Sequence, residues 1–249
     1  MIYQEFQPDI RLIDLVKCYW WFDHSGAEHH HYTILPDGCF DLLVHFKNGA
    51  LNEVSLTGLW TKQVEVTIDS NTQIFGVRFK LLAVDNIFRH SIASVCDSEL
   101  KLENDYWQVQ RNNFSELHST VGFFNNTMIR ILERSKAFDE KKQKLFSLLY
   151  QSNGGLTIED YSQQVFWSAR QINRYFSQRF GLSLKVYCNI LKCAASYPNL
   201  QQGRLYPEEN YFDQSHFIKA LKKHTGSSPG ELSSDKNDRF LQLHTLKDK

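Results

Sequence analysis

The hydrophobic period of this chain changes partway along, and that change constrains the fold more than any other feature. Between Arg11 and about Lys80, apolar residues alternate with polar ones or form short runs rich in aromatic and β-branched side chains. Val64-Glu-Val-Thr-Ile and Ile74-Phe-Gly-Val-Arg-Phe alternate, and Val16-Lys-Cys-Tyr-Trp-Trp-Phe is an aromatic run. Phe40-Asp-Leu-Leu-Val-His-Phe follows the turn residues Pro36-Asp37-Gly38 and ends near Asn48-Gly49, the pair favoured in two-residue hairpin turns. Beyond Lys80 the spacing becomes three and four. Leu81-Leu-Ala-Val-Asp-Asn-Ile-Phe reads as helical, and Leu117, Val121, Phe124, Met128 and Ile131 form one stripe of a longer helix. Strands followed by helices predict an α+β fold. The β-rich part is expected to be a barrel or sandwich with flanking helices, and the C-terminal part all-α.

Charge divides the chain in the same way. Residues 1–140 hold 12 basic against 19 acidic side chains, a net of −7, whereas residues 141–249 hold 16 against 9, a net of +7. A basic half suits a polyanionic partner, and two opposite halves also suit each other. Gln151-Ser-Asn-Gly-Gly is the expected boundary. The expected organisation is a β-rich sensory or interaction domain over 1–140, a linker region over 141–154, a helix-turn-helix domain over 155–232 and a tail over 233–249. No window reaches the ~18 consecutive apolar residues of a membrane span, and the start lacks a basic-then-apolar leader pattern, so a cytoplasmic protein without a membrane partner is expected. Five scattered cysteines without a C-x-x-C pair read as buried thiols.

The chemistry concentrates near the C-terminus. Thr157, with Asp160 three residues on, opens a helix; after a tight turn, Ser168 caps a second helix that Gly181 ends, and a third follows from Ser183. In Ser168-Ala-Arg-Gln-Ile-Asn-Arg-Tyr-Phe-Ser-Gln-Arg-Phe-Gly181, the residues Ile172, Phe176 and Phe180 form an inner stripe. That leaves Arg170, Gln171, Asn173 and Arg174 as candidates to read DNA, since Arg matches guanine edges and Asn or Gln matches adenine edges in the major groove. An amphipathic helix with a solvated polar face would carry the same residues. A second segment, Asp213 to Gly226, has Asp213 as N-cap, Phe217 and Leu221 inside, and Gln214, Ser215, His216 and Lys219 outside near the end that enters the groove. Lys222, Lys223 and His224 suit phosphate contacts, and Ser228-Pro229-Gly230 is expected to stop any helical continuation.

These residues resemble the DNA-binding domain of AraC-family transcription regulators. The first half matches through Ser168, Ile172, Arg174, Phe176, Phe180-Gly-Leu-Ser183 and Tyr187. The second matches through Tyr211-Phe-Asp-Gln-Ser-His-Phe, Thr225-Gly and Ser228-Pro. The resemblance covers about residues 150–232. It implies two helix-turn-helix units joined by a linker helix, with recognition helices in successive major grooves of double-stranded DNA. It places Arg170, Asn173 and Arg174 in one recognition helix and Gln214, Ser215, His216 and Lys219 in the other. The family usually carries a full helix ahead of the second recognition helix. Here Gly203 to Asn210 is shorter, Pro207 excludes a regular helix interior, and Pro198 is expected to cut the linker helix. The N-terminal half resembles the uncharacterised β-rich domain often fused ahead of this DNA-binding domain, through Tyr19-Trp20, Leu35-Pro-Asp-Gly38, Asp41-Leu-Leu and Gly76-Val-Arg-Phe79. The architecture implies a small-molecule effector there and is compatible with a homodimer.

Other readings compete. His29-His-His31, with Asp37, Asp41 and His45 nearby, is the basis for a cupin-like metal-dependent enzyme or a metal sensor, although three consecutive histidines cannot all face one side of a strand. An exposed polar loop explains them as well. A protein-interaction module with degenerate DNA binding is the third reading. The chain has no G-x-S-x-G, P-loop or G-x-G-x-x-G motif. The expected function is a non-enzymatic, sequence-specific DNA-binding transcription regulator without cofactor, catalytic residue or metal ligand.

Overall fold

The computed structural model describes residues 2–26, 29–135, 137–206 and 213–234. Among them, the strands are β1 (Ile2–Phe6), β2 (Val16–His24), β3 (His30–Ile34), β4 (Phe40–Lys47), β5 (Ala50–Thr57), β6 (Val64–Ile68), β7 (Thr72–Phe79) and β8 (Glu99–Leu102). The α-helices are α1 (Leu117–Glu133), α2 (Glu140–Gln151), α3 (Ile158–Val165), α4 (Ala169–Phe180), α5 (Leu184–Gln201), α6 (Gln214–Thr225) and α7 (Pro229–Ser234). The fold is α+β. One sheet has the order β1-β2-β7-β4-β5-β8 and a second pairs β3 with β6. Every pairing is antiparallel. The β4–β5 hairpin closes at Asn48 and Gly49, whose φ angles of 52° and 76° are the left-handed pair that a two-residue turn needs.

Alternation along β4 separates the two faces of the large sheet. Phe40, Leu42, Val44 and Phe46 are buried on one side with Phe75, Val77 and Phe79 of β7. That side packs on α1, where Phe124 stacks on Phe75 with ring centroids 5.2 Å apart. The same buried cluster runs on into Phe146 of α2, Phe176 and Phe180 of α4 and Tyr187 of α5. Side chains of this kind stabilise by roughly 1.5–3 kcal/mol each when fully buried. The β-rich and helical parts therefore share one core. The other side of the sheet presents Asp41, Leu43, His45 and Lys47 toward β3 and β6.

Several local expectations change. The amphipathic stretch from Lys141 is helical within α2, which buries Leu145, Phe146 and Leu149 and is capped by Asp139, whose carboxylate accepts from the Lys141 and Lys142 amides. Leu81–Phe88 contains a π-helical turn, Val84–Phe88, closed by Arg89 at φ 62°. Pro198 does not cut α5: it removes one N–H only a turn from the end, and Gln202 N–H closes the helix on the Pro198 carbonyl at 3.2 Å. Gly226, at φ 68°, ends α6, and Pro229 begins α7 instead of blocking a helix, since a helix needs no donor at its first position. The edge strands β1 and β8 carry no strong local pattern. Pro207, Tyr211, Phe212 and tail residues 235–249 lie outside the described residues. No described helix is long and apolar enough to cross a membrane.

Candidate nucleic-acid interface and ligand cavity

Helices α3 and α4 meet across Phe166-Trp167-Ser168 as a helix-turn-helix. Both helices begin with reciprocal capping boxes. Asp160 N–H donates to Thr157 Oγ1 and Thr157 N–H to Asp160 Oδ2, each at 3.1 Å. Gln171 N–H donates to Ser168 Oγ at 3.3 Å, and Ser168 N–H to Gln171 Oε1 at 2.9 Å. Phe166 turns the chain in the left-handed region, at φ 54°, with its ring exposed. Ile172, Phe176 and Phe180 are buried, as the stripe predicts.

The candidate readers occupy different positions. Arg170 and Arg174 are exposed on the outer face of α4. The Gln171 side chain is exposed but engaged in the cap. Asn173 is half-buried: its amide donates to the Ala169 carbonyl at 3.0 Å and accepts from Leu184 N–H at 3.3 Å, tying α4 to α5. In α6, Gln214, Ser215, His216 and Lys219 are exposed, and Asp213 caps the helix by accepting from His216 N–H at 2.7 Å. Phe217 and Leu221 pack with Leu35, Tyr197, Leu200 and Leu232. His224, read as a phosphate contact, is buried.

Sequence reasoning missed how α4 and α6 are fastened. Beside α4 lies a groove of about 530 Å3 lined by Arg89, Lys142, Arg174, Arg179 and the glutamines Gln171 and Gln178, with Asp85 at its base. Asp85 meets Lys142 Nζ at 2.7 Å, the Tyr175 hydroxyl at 2.7 Å and the Arg179 guanidinium at 2.6 Å. Burial alone would raise the Asp85 carboxyl, but the bonds from Lys142 and Tyr175 and the Arg179 charge together hold it below the usual range. Ser91 Oγ and Ile92 N–H also donate to the Gln178 and Arg179 carbonyls, at 2.6 and 2.9 Å.

Helix α6 is fastened to the segment between β5 and β6. His224 Nδ1 donates to the Thr61 carbonyl at 2.7 Å, and Gln63 N–H donates to the His224 carbonyl at 2.8 Å. A carbonyl only accepts, so the neutral ring carries its proton on Nδ1. Burial lowers the pKa of the His224 ring. Helix α5 is tied to the Pro36-Asp37-Gly38 turn: the Tyr197 hydroxyl donates to the Pro36 carbonyl at 2.8 Å and the Tyr187 hydroxyl to the Gly38 carbonyl at 3.0 Å.

The segment between β5 and β6 borders, through Trp60 and Val64, a cavity of about 410 Å3 between the two sheets. Trp20, Phe22, Leu43, Ile74, Trp60, Val64, Val66 and Ile68 make its apolar walls. Trp20 lies flat over Gly76, where any Cβ would stand 2.0 Å from the indole. The indole Nε1 donates to Asp41 at 2.8 Å, and Arg78 meets Asp41 at 3.2 Å and Asp37 at 3.6 Å. Burial raises the Asp41 carboxyl more than these partners lower it. At Asp37 the charges of Lys17 and Arg78, with the Cys39 amide, prevail over burial, and the carboxyl is lowered. Local signals for this cavity were the Pro-Asp-Gly turn, the alternation of β7 and the aromatic run of β2, which supplies Trp20 and Phe22 to its walls.

The histidine run does not form a cluster. His30 and His31 are exposed on β3, His29 pairs with Asp69 at 3.0 Å, and among the described residues no group of three or more His, Cys, Asp or Glu could hold a metal ion. All five cysteines are free, and four are buried.

Residues 4–101 match a family described as a domain of unknown function (DUF6597). No curated protein matches the chain. Among solved structures, ToxT from Vibrio cholerae in a P21 crystal form is similar at 11% identity and a TM-score of 0.47, over 86% of this chain and 97% of that one. A second structure, ToxT from Vibrio cholerae O395, gives 10% identity and 0.45 over 93% and 96%. ToxT bound to (E)-4-(8-methylnaphthalen-1-yl)but-3-enoic acid gives 12% identity and 0.43 over 94% and 98%. Likenesses at this level assign no residue a role.

Proposed function

We propose that this protein is a sequence-specific, DNA-binding transcription regulator of the AraC type whose β-rich half receives a small-molecule effector. The observation that carries the reading is the capped helix-turn-helix of α3 and α4, with Arg170 and Arg174 exposed on its outer helix beside a basic groove. Arg174 is the base reader of choice, because it is exposed and its guanidinium matches a guanine edge. Gln171 and Asn173 act mainly within the protein, as cap and strut. In α6, Gln214, Ser215, His216 and Lys219 supply the second set of contacts, near the helix N-terminus as in other helix-turn-helix proteins.

Effector control has a physical route. Trp60 and Val64 line the cavity, and the residues between them hold α6 through His224. Asp37 reaches the cavity-lining Arg78, and its neighbours Pro36 and Gly38 hold α5. A ligand that shifts either segment shifts the attachment of a helix. Selection of bound sequences from a random duplex pool, followed by titration over salt, tests the reading. The selected duplex should bind with log K falling linearly in log salt, by about 0.9 per phosphate neutralised. Failure to enrich any sequence, or binding indifferent to salt, would sink it.

A further inference from the structure

The cavity between the sheets has an unequal balance of charges. Its two lining cations are both engaged: Arg78 by Asp41 and Asp37, and Lys47 by Asp69 at 3.2 Å and the Ser70 carbonyl at 2.9 Å. Glu99, half-exposed in the lining, is different. Its partner among the described residues is the ring of His45 at 3.9 Å, which also lies 3.4 Å from the Ser55 hydroxyl. Burial lowers the pKa of His45, so the ring is neutral near pH 7 and offers Glu99 no positive charge. Lys101, two residues along β8, is taken by Glu53 at 2.6 Å. The described lining thus holds paired cations and one carboxylate without a cationic partner.

The apolar walls sharpen the consequence. Trp20, with Tyr3 stacked on it at 6.2 Å and Arg78 5.9 Å from its ring, and Trp60 give the cavity aromatic walls, and aromatic faces attract cations and stack on flat ring systems. A ligand carboxylate would lose its hydration here and meet no available cation. A ligand ammonium would gain a charge-assisted hydrogen bond. A volume of about 410 Å3 lies within the range of small-molecule sites and suits a bicyclic or tricyclic body.

We propose that the effector is an aromatic amphiphile bearing a protonated amine, with Glu99 receiving the ammonium and the Trp20–Trp60 walls enclosing the ring system. The proposal rests on the effector-regulated reading above and names the chemical class of that effector.

Three isosteric probes test it on the full chain by calorimetry: 2-naphthylmethylamine, 2-naphthylmethanol and 2-naphthoic acid. The amine binds at least about tenfold tighter than the acid, with the alcohol between them. Glu99→Gln brings the amine to the level of the alcohol and leaves the alcohol unchanged. Leu43→Trp, which fills the cavity, abolishes binding of all three and places the site. Tighter binding of the acid, an unchanged order in Glu99→Gln, or no binding by any probe overturns the proposal. Salt-dependent DNA binding, measured on the same protein without probe, separates the two readings. Its loss beside an intact amine preference defeats the regulator, and its retention beside a failed preference defeats only the ligand class.

Discussion

Helix α4 is fastened to the segment from Asp85 to Ile92, which takes no part in the cavity, whereas α6 is fastened to Thr61 and Gln63, which stand between two cavity-lining residues. The chemistry differs as well. At α4 a carboxylate gathers two cations and a phenol, with backbone bonds at the helix end. At α6 a backbone carbonyl and a backbone amide meet one histidine. The first attachment rests on charge and stands apart from the cavity. The second contains no ion pair and stands beside the cavity. On the reading proposed above, one DNA-contacting helix is held apart from the effector cavity and the other beside it.

The largest way to break this comparison is Asp85→Ala. It leaves Lys142 and Arg179 facing each other in a partly buried site, at an expected cost of about 2–4 kcal/mol, or roughly 4–16 °C in Tm for a chain of this size. The Asp85 carboxyl is lowered in the folded state, so its contribution is full above the ordinary carboxylate range and fades as pH falls through the lowered value. Thermal melts from pH 7 down to pH 3 should therefore converge for the native chain and the variant. A constant gap would mean that Asp85 acts by packing alone.

Arg174→Ala comes next, at about 1–3 kcal/mol of DNA affinity with relaxed preference at one base position. An equal loss on every duplex would reassign Arg174 to a phosphate. His224→Gln should cost about 1–2 kcal/mol of stability by weakening the bond to Thr61 while preserving the α4 latch. The His224 ring has a lowered pKa in the fold, so below about pH 6.5 the unfolded chain takes up the proton first and stability falls with pH. The variant should show a shallower slope between pH 7 and 5, with His45, whose pKa burial also lowers, supplying the remainder, as denaturant titrations would reveal. The smallest effect belongs to Lys219→Ala, which should weaken binding evenly across sequences and reduce the salt slope by about one.

What the sequence disclosed was local. The Asn48-Gly49 turn, the Thr157 and Ser168 caps and the Ile172–Phe180 stripe depend on neighbours within a few residues, so they can be read in order. The attachments were not legible, because their partners are far apart in the chain. Tyr175 lies 90 residues from Asp85, and His224 lies 163 from Thr61. Pro198 lies one turn from the end of α5, where the proline rule for helix interiors does not hold. Asn173 has the side-chain type that matches adenine, yet the start of α5 takes its amide oxygen.

Gly76 and Trp20 carry a consequence for descent. The indole occupies the space that a side chain at 76 would need, so the two positions cannot vary independently. In homologous chains, any residue larger than glycine at the position of Gly76 should coincide with a smaller residue at the position of Trp20. Such pairs would mark branches whose cavity wall has changed shape.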